Sequence, residues 1–206
     1  MLRKSRAVLA ATACILSLTV FTDAANAAQR FFLFNNNTSS LSDGRPRSEV
    51  RLKSGKVRLA PQFKRQVVAY NSKQSAGTII VNTGEKYLYL VLGDGQAMRY
   101  GIGTARSGFE WSGTHRLSSK REWPGWTPPA EMKRRQPGLP NYMPGGINNP
   151  LGARALYIGS TLYRIHGTNE PWTIGQNVSS GCIRMVNADV EDLYERVKIG
   201  AKVIVL

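Results

Sequence analysis

The chain has 206 residues, long enough for one well-buried domain with some left over. Its 28 lysines and arginines against 13 aspartates and glutamates leave a formal net charge of +15, which suits either an acidic partner approached at long range or a solvated basic surface with no specific target. Once Cys14 is set aside with the N-terminal segment read below as a signal, Cys182, His115 and His166 are too few ligands, at the wrong spacing, for a zinc site, and neither a metal nor a cofactor is expected.

Residues 1–27 read as a secretory signal peptide. Arg3, Lys4 and Arg6 precede an apolar run from Ala7 to Phe21, and Ala25-Asn26-Ala27 supplies a small-x-small cleavage site. The run falls short of the ~20 residues a helical span needs, so no transmembrane span is expected after cleavage; an uncleaved anchor is the alternative. Export to the periplasm or cell envelope removes nucleic acid from the expected partners and favours an acidic envelope polymer or an anionic lipid surface. Cys14 leaves with the signal. Cys182 then has no intramolecular partner in a compartment where cysteines usually pair, and such a thiol is either reactive or buried.

Residues 28–76 read as a flexible, basic lead-in and linker, turn-rich from Asn35 to Ser40. From Gly77 the pattern turns to strands. Thr78–Asn82, Tyr87–Leu92 and Ala97–Ile102 are β-branched, aromatic or aliphatic, separated by turns at Thr83-Gly84-Glu85 and Gly93-Asp94-Gly95. The expectation is an antiparallel meander whose second strand, apolar on both faces, lies centrally. Residues 120–152 are rich in proline, glycine and tryptophan, which excludes regular sheet. They are expected to form a lid or groove wall in which Trp123 and Trp126 offer aromatic surface to substrate; a packed flap without substrate contact is the plainer reading. Strands are expected before Ile158 and from Tyr163 to His166. Asn187 is expected to cap a helix with Val190, Leu193, Tyr194 and Val197 on its apolar stripe and Gly200 at its end, followed by a closing strand over 202–206. The fold is therefore mainly β with one clear C-terminal helix.

The chemistry concentrates in His166-Gly167 and Ser179-Ser180-Gly181-Cys182-Ile183-Arg184. A free thiol is mostly protonated at neutral pH, and a nearby imidazole can take its proton to leave a thiolate–imidazolium pair. The 16-residue spacing suits two strands joined by a loop that folds back. Backbone N–H groups at Gly181 and Cys182 are candidate oxyanion donors. Taken singly, Cys182 reads as a small buried hydrophobe and His166 as a hydrogen-bonded core histidine; together in an exported chain they read as nucleophile and base.

This stretch resembles the L,D-transpeptidase catalytic domain family (YkuD type), whose pattern is His-Gly, about fifteen residues, then Ser-x-Gly-Cys-x-Arg. Many members have histidine where this chain has Ser180. The resemblance spans 77–206, and implies a β-sandwich-like fold of mixed sheets preceded by a linker and first strand over Pro61–Tyr70. It implies Cys182 as nucleophile, His166 as base and the Gly167 carbonyl as the group that orients the imidazole. Arg184 is left as a clamp for a substrate carboxylate or a structural acceptor, and Ser179, Ser180 and Asn169 as substrate contacts or loop ties. The implied reaction is cysteine acyl transfer from a peptidoglycan stem tetrapeptide, releasing D-alanine and forming 3→3 cross-links. Water as acceptor would make an L,D-carboxypeptidase, and a lysine of an outer-membrane lipoprotein would make a ligase. A non-catalytic wall-binding protein is the remaining class.

Overall fold

The computed structural model describes residues 59–206; the expected signal peptide and residues 28–58 of the expected lead-in lie outside the described residues. Eleven strands and two helices follow in order: β1 Gln66–Ala69, β2 Ile79–Asn82, β3 Tyr87–Gly93, β4 Gln96–Gly101, β5 Thr104–Ala105, β6 Gly113–Glu122, α1 Ala130–Arg135, β7 Arg154–Ile158, β8 Arg164–His166, β9 Asn177–Ser179, β10 Ile183–Arg184, α2 Asn187–Arg196 and β11 Lys202–Val205. Nine strands form one sheet in the order β1-β4-β3-β2-β11-β6-β7-β8-β10, and β5 pairs with β9 in a second, small one.

The meander β2-β3-β4 is antiparallel and β3 lies between its two partners. Four consecutive residues of β3, Leu88 to Val91, are buried, as its two apolar faces require. Part of the expected lead-in is built into the sheet: β1 pairs antiparallel with β4, Val67 opposite Met98.

The sheet is mixed because of β11, which runs parallel to β2 and antiparallel to β6. Strand β6 is long enough to serve two neighbours. Its first residues, Gly113 to Arg116, face β11, and Leu117 to Glu122 face β7. The two halves close on one core. Ile79, Val81, Leu88 and Tyr100 from the meander side meet Leu156, Ile158, Ile165 and Ile183 from the β7-β8-β10 side, with Val190, Leu193 and Val197 of α2 among them. This is the sandwich-like arrangement, made by one continuous sheet.

Helix α2 buries the expected stripe but is not capped as expected. It has no side-chain cap at its start. The Asn187 amide oxygen instead accepts from the backbone N–H of Ala153 (3.0 Å) and of Thr168 (3.1 Å). Two orphan donors beside β7 and β8 outcompete the helix end for it. The helix also stops at Arg196, before Gly200.

The 120–152 stretch is less irregular than expected. It begins inside β6, contains α1, and is pinched by a two-residue bridge between Trp126 and Met143, each donating to the other's carbonyl at 2.8 Å. Its centre is Asn149, 1% exposed. The Asn149 amide nitrogen lies 3.1, 3.2 and 2.9 Å from the carbonyls of Pro124, Met143 and Pro144, and its oxygen accepts from Leu151 N–H at 2.9 Å. A segment with no regular ladder thus satisfies buried carbonyls through one side chain.

Candidate active site

Strands β8 and β10 pair in parallel, with Ile183 opposite Ile165 and Arg184 opposite His166. Ile165 and Ile183 point into the core, 0% and 1% exposed. Side chains alternate along a strand, so Arg164 and His166 on β8, and Cys182 and Arg184 beside Ile183, share the opposite face. On that face Cys182 and His166 are diagonal neighbours, one strand spacing (~4.8 Å) and one two-residue step apart.

His166 is buried. Its Nδ1 lies 2.5 Å from the Gly167 carbonyl. A carbonyl only accepts, so Nδ1 carries the proton and Nε2 keeps its lone pair. Burial first, then the charges of Arg184 and Arg164, push the imidazole down to about 3, while the Gly167 carbonyl pulls the other way. The ring is therefore neutral at neutral pH.

Cys182 is a partly buried free thiol whose Sγ lies 4.0 Å from the Leu162 carbonyl. Burial pushes it above its ordinary value, and Arg164 and Arg184 oppose this only in part. Desolvation penalises both charged forms, which works against the expected thiolate–imidazolium pair at rest.

The loop before Cys182 is tied at several points. The Ser179 hydroxyl donates to the Cys182 carbonyl at 2.6 Å and accepts from Gly181 N–H at 3.1 Å. The Trp111 indole donates to the Gly181 carbonyl at 2.6 Å, and its ring stacks on Tyr163 at 4.3 Å and 8°. Gly181 has φ +111°, and a Cβ there would lie 2.3 Å from the Tyr163 ring; no other residue takes that conformation against that ring without displacing it. Ser179 is thus a loop tie, and the Gly181 N–H, spent on it, is not free for an oxyanion.

Arg184 is also engaged. Its Nη1 pairs with Glu170 at 2.9 Å, with both side chains mostly buried, which fills the structural role. Asn169 donates to the Asn148 carbonyl at 3.1 Å and joins the strand end to the 120–152 stretch. Among the described residues, no hydrogen bond or aromatic contact joins Trp123 or Trp126 to Cys182 or His166. Trp123 is 42% exposed; the Gly145 position lies so close to it that a Cβ would fall 1.9 Å from the Trp123 carbonyl oxygen. Arg135 of α1 links this stretch to the loop before Cys182, its Nη2 3.5 Å from Ser180 Oγ.

Four residues here were not expected from sequence. Trp111 and Tyr163 carried no pattern beyond ordinary core aromatics, and Asn149 sat in a polar run. Arg164 was readable: two residues before a strand-borne histidine, it must share that histidine's face. A cavity of about 190 Å³ is lined by Lys86, Thr104, Glu110, Trp111, Gly181 and Ile183 among others; neither Cys182 nor His166 lines it.

Residues 76–205 match the family model of the L,D-transpeptidase catalytic domain. The chain is 35% identical over 180 residues to the Escherichia coli protein named "Probable L,D-transpeptidase ErfK/SrfK", covering 82% of this chain and 56% of that protein. It is 40% identical over 134 residues to E. coli "Probable L,D-transpeptidase YbiS", covering 61% and 43%. It thus spans about half the length of these curated relatives. Among solved structures, a Brucella melitensis protein titled a probable carnitine operon oxidoreductase is 45% identical, covering 72% of this chain and 96% of that one, at a TM-score of 0.49, too low to speak to activity.

Proposed function

Because the chain belongs to the L,D-transpeptidase catalytic domain family, we propose that it is a peptidoglycan L,D-transpeptidase of the cell envelope, with Cys182 as nucleophile and His166 as base. The observation that carries this reading is the neutral imidazole, its Nδ1 held by the Gly167 carbonyl, on the same sheet face as an unpaired thiol. The Cys182 sulfur attacks the carbonyl between the third, diamino-acid residue of a stem tetrapeptide and its terminal D-alanine, as His166 Nε2 takes the thiol proton. The C–N bond breaks, the proton passes to the leaving D-alanine amine, and a thioester remains on Cys182. An amine of a second stem then attacks that carbonyl, the C–S bond breaks, and the proton taken from the amine returns to sulfur. No ATP is required, because the acyl group stays activated as the thioester. With the Gly181 N–H occupied, the N–H of Cys182 is the backbone donor left for the oxyanion. The Glu170 pair makes Arg184 a positioning residue for the strand edge rather than a free carboxylate clamp.

The test is incubation with a purified tetrapeptide stem followed by intact-protein mass and D-alanine release. A thioester adduct lost in Cys182→Ala supports the reading; a mass unchanged at every time point, with no D-alanine freed, ends it. Repeating the reaction with an acceptor stem, with a lipoprotein C-terminal lysine peptide, and with neither assigns the acceptor by product mass.

A further inference from the structure

Two guanidinium groups meet at one hydroxyl beside the nucleophile. Arg106 Nη2 donates to Ser180 Oγ at 3.1 Å, and Arg135 Nη2 lies 3.5 Å from the same oxygen. They come from separate parts of the chain. Arg106 directly follows β5, and its backbone N–H is held by the Ser179 carbonyl at 3.0 Å; Arg135 ends α1 in the 120–152 stretch. Both lie against the Phe109 ring, at 5.4 and 4.9 Å from its centroid.

Charge is not balanced there. Glu131 lies 4.0 Å from Arg135 Nη1 and is shared with Arg134. Arg106 has no carboxylate within ion-pair distance among the described residues. Both guanidiniums are exposed, so the N–H donors that the one hydroxyl leaves over face solvent and are open to an anion. A carboxylate is an anion that such forks bind through paired N–H donors. Ser180 and Cys182 are two residues apart, so their Cα atoms lie within about 7 Å of each other, a span that two residues of an extended substrate cover.

We propose that Arg106 and Arg135, converging on Ser180, form a subsite for a carboxylate of the donor peptide adjacent to the scissile bond. This rests on the transpeptidase reading. Two carboxylates of the donor have that chemistry: the terminal one of D-alanine, and the second one on the diamino-acid side chain. One arginine comes from the sheet and one from the 120–152 stretch, so the bound anion would tie the two together.

The experiment titrates the Cys182→Ala protein with three tetrapeptides: the parent, its terminal carboxamide, and its diamino-acid side-chain carboxamide. The parent peptide is expected to bind about tenfold more tightly than one of the two amides, and that amide identifies the carboxylate. In the Arg106→Ala/Arg135→Ala double variant the preference is expected to vanish, and lysine at both positions is expected to restore part of it. Equal binding of all three peptides, or a preference that survives in the double variant, overturns the subsite. The same arginine variants carrying Cys182 are assayed for D-alanine release. Release that ignores the arginines removes the subsite and leaves the enzyme. Arginine-dependent binding without release in any variant leaves the subsite and removes the enzyme. No binding of any peptide and no release removes both.

Discussion

Two segments meet at Ser180, and they are held by opposite means. The 179–184 loop is short and its contacts are redundant: a serine hydroxyl, an indole N–H, a stacked ring pair and a glycine with no room for a side chain all act on four residues. The 120–152 stretch is long, and between its strand end and its outer contacts its interior is gathered by one amide, Asn149, and one bridge. Redundant ties suit a group that must hold its place to a fraction of an ångström through a reaction. Sparser ties suit a segment that can be loosened without disturbing the sulfur.

Substitutions can break this contrast in order of expected effect. Cys182→Ala should remove D-alanine release altogether, and His166→Gln should reduce it by about 10²–10⁴-fold, each with an unchanged far-ultraviolet spectrum. Gly181→Ala should cost about 10²-fold in kcat while the protein stays folded, since the new methyl group must displace Tyr163. A near-normal rate would show that the nucleophile loop is looser than its contacts imply. Asn149→Ala should cost about 2–3 kcal/mol in urea unfolding and hasten proteolysis within 120–152, yet leave the rate of Cys182 alkylation by iodoacetamide within about twofold. Faster alkylation would mean that the two segments are one unit.

The smallest effect is in the acid stability profile, where two buried groups oppose each other. His166 titrates at about 3 in the fold and near ~6.5 unfolded. It costs nothing above that upper value. As pH falls from there towards 3 the unfolded chain takes up a proton that the fold refuses, and stability is lost. Asp189, pushed by burial up to about 6 despite Arg65, works the other way: the fold holds a proton that the unfolded chain releases, so stability is lost as pH rises from ~3.9 towards 6. Asp189→Asn should therefore steepen the loss on acidification between pH 6 and 4 in urea midpoints. An unchanged slope would mean that Asp189 titrates as an ordinary carboxylate. The same depressed imidazole predicts D-alanine release at pH 5.5 within about twofold of that at pH 7.

The sheet's apolar half was legible because β2, β3 and β4 announce themselves by composition. Strand β6 was not, since Gly-Thr-His-Arg-Leu-Ser-Ser-Lys-Arg-Glu buries only Leu117; its place is set by the neighbours that hydrogen-bond to it, which no local pattern records. The thiol and imidazole were legible as a pair because both lie in one glycine-flanked segment. Their charge states were not, because these depend on burial and on Arg164 and Arg184 brought in by parallel pairing. Asn187 was misplaced for a related reason: local preference put it at a helix end, and two distant N–H groups claimed it.

Strand β11, between β2 and β6, has one more implication, for the order in which the molecule is made. Residues 113–122 leave the ribosome long before 202–205, so until the four residues of β11 are synthesised the meander and the half that bears the histidine have no common hydrogen-bonded seam. Such distant pairing is slow to form, and leaves two open strand edges meanwhile. A chain interrupted before residue 202 would expose both, making it a substrate for quality-control proteases and an aggregation hazard.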